Sequence, residues 1–282
     1  VSYRQTHTLL SPKDEEFEPG TELPPFEQIK KRFLDYVAPF KGKGAESDYF
    51  IRLKEAHSLR VCREAAALAC ELNLSPRDRK IAEIAALLHD TGRFPQYKTY
   101  GTFQDNLSVD HAALGVRVIE ERQMLRHMAP QTQALVLSAI GYHNKVSLPP
   151  GEGRRCLLFS KILRDADKLD IWRITINDDE KNDGKGCAPV EEALPEGEEL
   201  SEPIRQAIAR GENPPLCLVK NRIDKRVCRA GWILDINFAP TLQRIRKRQY
   251  LQRICATVPD TEKIQKTFVR LETLLRQRIE TA

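Results

Sequence analysis

Between residues 48 and 175 the apolar residues recur every three or four positions and almost never alternate one-on, one-off with polar ones. That period puts them on single helix faces; strands would show a period of two. Phe50, Leu53, His57, Val61, Ala65, Leu68 and Leu72 form the first such stripe. A second helix opens at Ser75-Pro76-Arg77-Asp78, with Ser75 suited to the N-cap, Pro76 to the first helical position and Asp78 to a capping box. It continues through Ile81, Ile84, Ala85 and Leu88, and Gly92 is the expected stop. Three more helices are expected at about 108–122, 130–143 and 155–174, so the predicted fold class is all-α.

The flanks differ from this middle. Residues 1–25 are rich in Pro, Glu and Asp and read as a loose lead-in, followed by a short amphipathic helix over Phe26–Val37. Residues 178–202 carry ten acidic side chains against two basic ones, whereas 220–253 carry ten basic against two acidic. A last helix begins near Asp260, with Ile264, Phe268, Leu271, Leu275 and Ile279 on one face. The expected organisation is an extension over 1–45, a helical core over 46–176, an acidic loop over 177–203 and a C-terminal helical part over 204–282 packed on the core.

No run approaches the roughly 18 apolar residues of a membrane span, and the start is polar, so neither a signal peptide nor a membrane helix is expected. Seven scattered cysteines without a CxxC pair argue against a disulfide framework or a thiolate zinc site and fit a reducing cytoplasm. The net charge of +5 permits an anionic substrate without requiring nucleic acid.

The chemistry lies in what interrupts the apolar faces. His57 sits on the first stripe; His89 and Asp90 close the second helix; His143 follows Val136, Ala139 and Ile140 on one face. Asp167 continues the face of Leu163 toward Ile171, and His111 falls in the first turn of its helix, where the positive helix end favours neutral imidazole. Each residue alone has a plain alternative. A core histidine can be hydrogen-bonded, and Arg164 or Lys168 could neutralise Asp167. One shared metal site accounts for all of them together. Imidazole and carboxylate donors suit Mn, Fe, Co, Ni or Zn, and an ion with an open position yields hydroxide near neutral pH. Asp90, with two oxygens, can serve one ion or bridge two.

The pieces "KEAHSLRV" at His57, "AALLHDTGRF" at His89–Asp90 and "ILRDADKLD" at Asp167 stand in the order that resembles the HD superfamily of metal-dependent phosphohydrolases. The resemblance covers roughly residues 48–175 and implies an HD-type helical bundle with additional C-terminal helices. "SVDHAALG" (His111) and "AIGYHNK" (His143) between the doublet and the last aspartate are similar to the dinuclear branches. There, by resemblance, Asp90 bridges, with His57, His89 and Asp167 on one metal and His111 and His143 on the other. Asp165 and Asp170 lie close to the last position, and Asp170 is the fallback. The GYP element of cyclic dinucleotide phosphodiesterases is absent, since Gly141-Tyr142 is followed by His143; nor does the doublet carry the neighbouring patterns of guanosine tetraphosphate or dNTP hydrolases.

Asp90 is thus expected in catalysis, with Arg93 and Lys98 as catalytic cations and Arg93, Lys98 and Lys145 as substrate contacts, because developing phosphoryl charge needs cations beyond the metal. The basic run Gln243–Tyr250 is expected to be an exposed helix face. The expected partner is a small phosphorylated molecule, such as a nucleotide, acted on by one or two divalent transition metal ions. A di-iron oxygenase and a non-catalytic regulatory module are the competing expectations.

Overall fold

The computed structural model describes residues 23–181 and 194–281, without the side chains of 178–181. Most of the expected lead-in and residues 182–193 of the expected acidic loop therefore lie outside the described residues, and the two ends of that loop belong to helices, 177–181 to the helix Arg154–Lys181 and 202–203 to the helix Glu202–Arg210. The helices are α1 (Phe26–Val37), α2 (Ala45–Glu71), α3 (Pro76–Leu88), α4 (Arg93–Tyr100), α5 (His111–Glu121), α6 (Pro130–Tyr142), α7 (Arg154–Lys181), α8 (Glu202–Arg210), α9 (Arg222–Gly231), α10 (Ala239–Lys247), α11 (Tyr250–Cys255) and α12 (Glu262–Thr281). No strand occurs among the described residues, and the fold is all-α. None of these helices is long and apolar enough to cross a membrane. The chain divides into two compact units, Val1–Arg164 and Asp165–Ala282, with the division inside α7.

In the first unit α3 is the central element. Ile81, Ala82, Ile84, Ala85, Ala86, Leu87 and Leu88 are all buried, so the helix is apolar nearly all round and must be enclosed. It packs along α2 and against α6 and α1. Ser75 caps it as the sequence predicts, its side chain accepting from the Asp78 N–H at 3.1 Å. Asp78 also holds Arg155 of α7, at 2.5 Å. The consequence for function is positional: the C-terminal end of this enclosed helix is His89-Asp90, so the doublet is delivered into the interior.

Gly92 differs from expectation. Helix α3 ends at Leu88, and Gly92 has right-handed angles (φ −69°, ψ −19°) at the start of α4 rather than the left-handed geometry of a terminating glycine. Its role is close approach. A Cβ there would stand 2.1 Å from the His111 carbonyl oxygen and 2.6 Å from the Gly115 nitrogen. Gly115 in turn leaves no more than 3.1 Å to the Gly92 nitrogen for a Cβ of its own. Two glycines thus let the backbone after the doublet lie directly on the first turns of α5.

The second unit has its own core, including Trp172, Ile204, Val227, Ile245, Ile254 and Phe268. The Trp172 indole N–H donates to the Arg229 carbonyl at 2.8 Å. On α12, Ile264, Phe268, Leu271 and Leu275 are buried, following the predicted stripe. In the run 243–250, Ile245 and Tyr250 turn inward while Arg246, Lys247 and Gln249 face solvent. In α9, by contrast, Lys225, Arg226 and Arg229 are buried, with Arg229 donating to the Thr175 hydroxyl at 2.8 Å.

The Asp165 carboxylate accepts from the Asn237 and Phe238 backbone N–H groups and the Asn237 amide, at 2.8–3.1 Å, and so fixes the segment that leads into α10. Asp165→Ala is expected to cost about 1–3 kcal/mol, the usual loss when buried donors are left without their acceptor, seen as a lower Tm of the full chain.

The six described cysteines are free. Burial pushes the Cys62, Cys156 and Cys228 thiols up to about 12, which makes them packing groups rather than metal ligands or nucleophiles.

Candidate metal centre

Asp90 is the hub of the first unit's polar interior. Its Oδ2 lies 3.5 Å from His57 Nε2 and 3.6 Å from His89 Nε2. Its Oδ1 lies 3.6 Å from His111 Nε2 and 3.9 Å from His143 Nε2. Each carboxylate oxygen therefore faces its own pair of imidazole nitrogens. Within the pairs, His57 and His89 present Nε2 atoms 3.3 Å apart, and His111 and His143 present theirs 2.9 Å apart. All five side chains are buried. The elements explain the convergence: α2 brings His57, the end of α3 brings His89 and Asp90, the first residue of α5 brings His111, and the end of α6 brings His143.

Three of the four rings are oriented through their other nitrogen. His89 Nδ1 is 2.8 Å from the Ala86 carbonyl oxygen, His143 Nδ1 is 2.7 Å from the Ile140 carbonyl oxygen, and His111 Nδ1 is 2.6 Å from Asp105 Oδ2. A carbonyl oxygen only accepts, so Nδ1 must carry the proton in His89 and His143. Asp105 is held well below the usual carboxylate range: burial opposes this, but the hydrogen bond and charge of His111, with Arg93 and Gln96, outweigh it. It too only accepts, and His111 Nδ1 is the donor.

The proton assignments test whether a metal fits. Neutral imidazole has one N–H, so His111 and His143 turn bare lone pairs toward each other at 2.9 Å. That contact is repulsive unless a cation lies between them. An extra proton on His111 is disfavoured, because burial, together with Arg93, pushes its imidazole down against the pull of Asp105 and Asp90. Two nitrogens bound to one ion at about 2.1 Å stand about 3.0–3.4 Å apart for right-angle to tetrahedral arrangements, and both pairs fall close to that range. The donor set fits a divalent transition metal.

Burial alone would raise the Asp90 carboxyl, yet Lys54 foremost, with His89, Arg93 and His57, holds it well below the usual range. Lys54 Nζ donates to Asp90 Oδ2 at 2.9 Å and lies 5.3 Å from the centre of the Phe103 ring. Arg93 Nε is 3.5 Å from Asp90 Oδ1. Its Nη1 donates to Gln96 Oε1 at 2.8 Å, to Asp105 Oδ1 at 3.0 Å and to the Phe103 carbonyl. Arg93 thus stands beside Asp90 and also braces the carboxylate that orients His111.

The other predicted cations are placed differently. Lys98 Nζ lies over the Phe40 ring at 5.7 Å, in a cleft of about 200 Å³ with Tyr36 and Arg122, and not against the histidines. Helix α4 causes this: five residues beyond Arg93, Lys98 projects to a different side, where an irregular loop would have let it turn back. Lys145 pairs with Asp110, whose oxygens also accept from Asn144 at 2.8 Å and cap α5 through the Ala112 N–H at 3.0 Å. These contacts hold the Asp110 carboxyl down at about 2 although burial opposes it.

Along "DADKLD", Asp165 is occupied by its bonds to Asn237 and Phe238, Asp170 is buried with Arg173 3.9 Å away, and Asp167 is half-buried. Lys168 Nζ pairs with Asp235 at 2.6 Å. Arg164 reaches the carbonyls that follow α6, including His143 at 3.4 Å and Lys145.

Sequence reasoning missed Lys54 and Asp105. Lys54 had a signal, three residues before His57 and so on nearly the same face of α2. Asp105 had none, since it sits in a short 3-10 turn six residues before His111.

The first unit is thus a helical bundle whose inward-facing His and Asp groups could hold a metal ion. Residues 55–172 match the family model described as HD domain, in agreement with the resemblance that the sequence motifs carry. HD domains bind divalent metals and are typical of metal-dependent phosphohydrolases, with non-catalytic members among them. Comparison with curated proteins and with solved structures finds no significant match.

The brace is testable. Asp105→Ala is expected to weaken metal binding on the His111 side by about 10- to 100-fold, the usual cost of losing an outer partner of a ligand. Titration of the metal-free protein with Mn(II) checks it.

Proposed function

We propose that the chain is a phosphohydrolase that cleaves a phosphate ester at a two-metal centre bridged by Asp90. The observation that carries this reading is the division of labour at that carboxylate, each oxygen facing its own pair of Nε2 atoms. His57 and His89 would hold one ion and His111 and His143 the other. Asp167, three residues beyond Arg164 on α7, is the further ligand that the family resemblance assigns. When bound, such ions supply Lewis acidity toward a phosphoryl oxygen and hydroxide at neutral pH.

The chain's own residues determine what can bind. Two carboxylates, Asp90 and Asp105, balance two cations, Lys54 and Arg93, around the imidazoles. With divalent ions added, the centre is strongly positive and selects an anion. The Nδ1 hydrogen bonds keep His89, His111 and His143 turned inward, so no reorganisation is needed when charge develops on substrate. Arg93 and Lys54 flank Asp90 on its two sides and add positive potential there.

The test is a screen of phosphomonoesters, nucleotides and cyclic dinucleotides with protein reconstituted separately with Mn, Fe, Co, Ni and Zn. The expected result is metal-dependent release of phosphate or a phosphomonoester, with and without O₂. Turnover that requires both iron and O₂ would instead place the site among the oxygenases.

A further inference from the structure

We propose that Lys54, rather than Arg93 or Lys98, is the residue that binds the phosphoryl oxygens of the substrate. The inference rests on the phosphohydrolase reading and names a residue of that same site. Three observations carry it. First, Lys54 Nζ stands at the metal-facing carboxylate, 2.9 Å from Asp90 Oδ2, the oxygen turned toward His57 and His89. It is therefore beside the reacting position, three residues before a ligand on the same helix.

Second, its donors are not used up. An ammonium has three N–H groups. Lys54 gives one to Asp90 and rests against the Phe103 ring face, which takes charge but fixes no direction. Its side chain is 18% exposed, so the head reaches both the buried carboxylate and the accessible side. Third, Lys145 and Lys98 are held by other groups, and Arg93 is braced through one of its nitrogens. Arg93 Nη1 serves three acceptors at once, Lys145 is paired with Asp110, and Lys98 lies on Phe40. A lysine is a compact charge on a flexible stem and can keep its carboxylate while turning another N–H to an incoming oxygen, whereas the planar guanidinium of Arg93, anchored through Nη1, has less freedom to follow it.

The test uses the full chain loaded with Mn(II), with inorganic phosphate as the probe. Metal content is measured by mass spectrometry, phosphate binding by calorimetry, and ester hydrolysis by kcat and KM. Lys54→Met and Lys54→Gln should keep the wild-type metal content and weaken phosphate binding by about 10- to 100-fold, the loss expected for a charge-assisted hydrogen bond. KM should rise, and Lys54→Arg should recover part of the phosphate affinity. Phosphate affinity unchanged in both variants overturns the inference while leaving the hydrolase reading in place. Loss of metal along with phosphate overturns it too, making Lys54 part of the metal scaffold. A wild-type protein that holds metal but neither binds phosphate nor cleaves any ester overturns the hydrolase reading itself.

Discussion

Asp90→Ala is expected to empty the centre and abolish ester hydrolysis together. The loss should far exceed the roughly 10- to 100-fold that follows removal of an outer partner, because one carboxylate serves both sides of the site. Its Oδ2 faces His57 and His89, its Oδ1 faces His111 and His143, and Lys54 and Arg93 are drawn to it. The variant also leaves two cations beside four imidazoles with no central negative charge, which repels any metal that the histidines alone might hold. Asp90→Asn separates these effects. It keeps the shape and one oxygen but removes the charge, and should retain at most a fraction of the metal. Metal analysis by mass spectrometry beside an activity assay checks both, and full activity in Asp90→Ala would refute the mechanism.

Gly92→Ala is the second large effect, and it acts through the backbone. The added Cβ would stand 2.1 Å from the His111 oxygen and 2.6 Å from the Gly115 nitrogen. Neither obstacle is a side chain that can rotate away, so α5 must move off the turn that follows the doublet. Overpacking usually costs about 1–3 kcal/mol, and a clash with fixed backbone belongs at the top of that range. In a chain of this size that corresponds to a fall in Tm of about 6–12 °C. His111 is the first residue of α5, so its Nε2 should also leave His143, and metal binding should weaken even where the protein stays folded. Gly115→Ala, where the nearest atom lies at 3.1 Å, should be milder. Equal Tm values for wild type and Gly92→Ala would show that the two backbones separate freely.

The parts of the site that could be read from the sequence are those fixed by helical period. His57 and His143 share faces with buried apolar residues, and the doublet ends an enclosed helix, so their inward direction follows from spacing alone. What periodicity does not encode was read less well. Gly92 looks like a helix stop because glycine commonly ends helices, but here the missing side chain matters for contact with α5, a partner about twenty residues away in the chain. Helix α4 has only eight residues with Pro95 inside its first turn, too short a run to display a stripe, and overlooking it misdirected Lys98. Asp105 reaches His111 from a turn with no repeat at all. In "DADKLD" the sequence leaves three carboxylates in contention; the hydrogen bonds from Asn237 and Phe238 occupy one of them, Asp165. The buried cations of α9 were hidden by composition, because a basic segment reads as solvated until its stems are seen packed.

The most direct measurement of the central claim is the number of metal ions per chain in three proteins: wild type, His57→Ala and His111→Ala, each reconstituted with Mn(II) and freed of excess. A centre bridged by Asp90 predicts two ions in the wild type and close to one in each variant, with hydrolysis lost in both. A single ion in the wild type that His111→Ala leaves in place would contradict it.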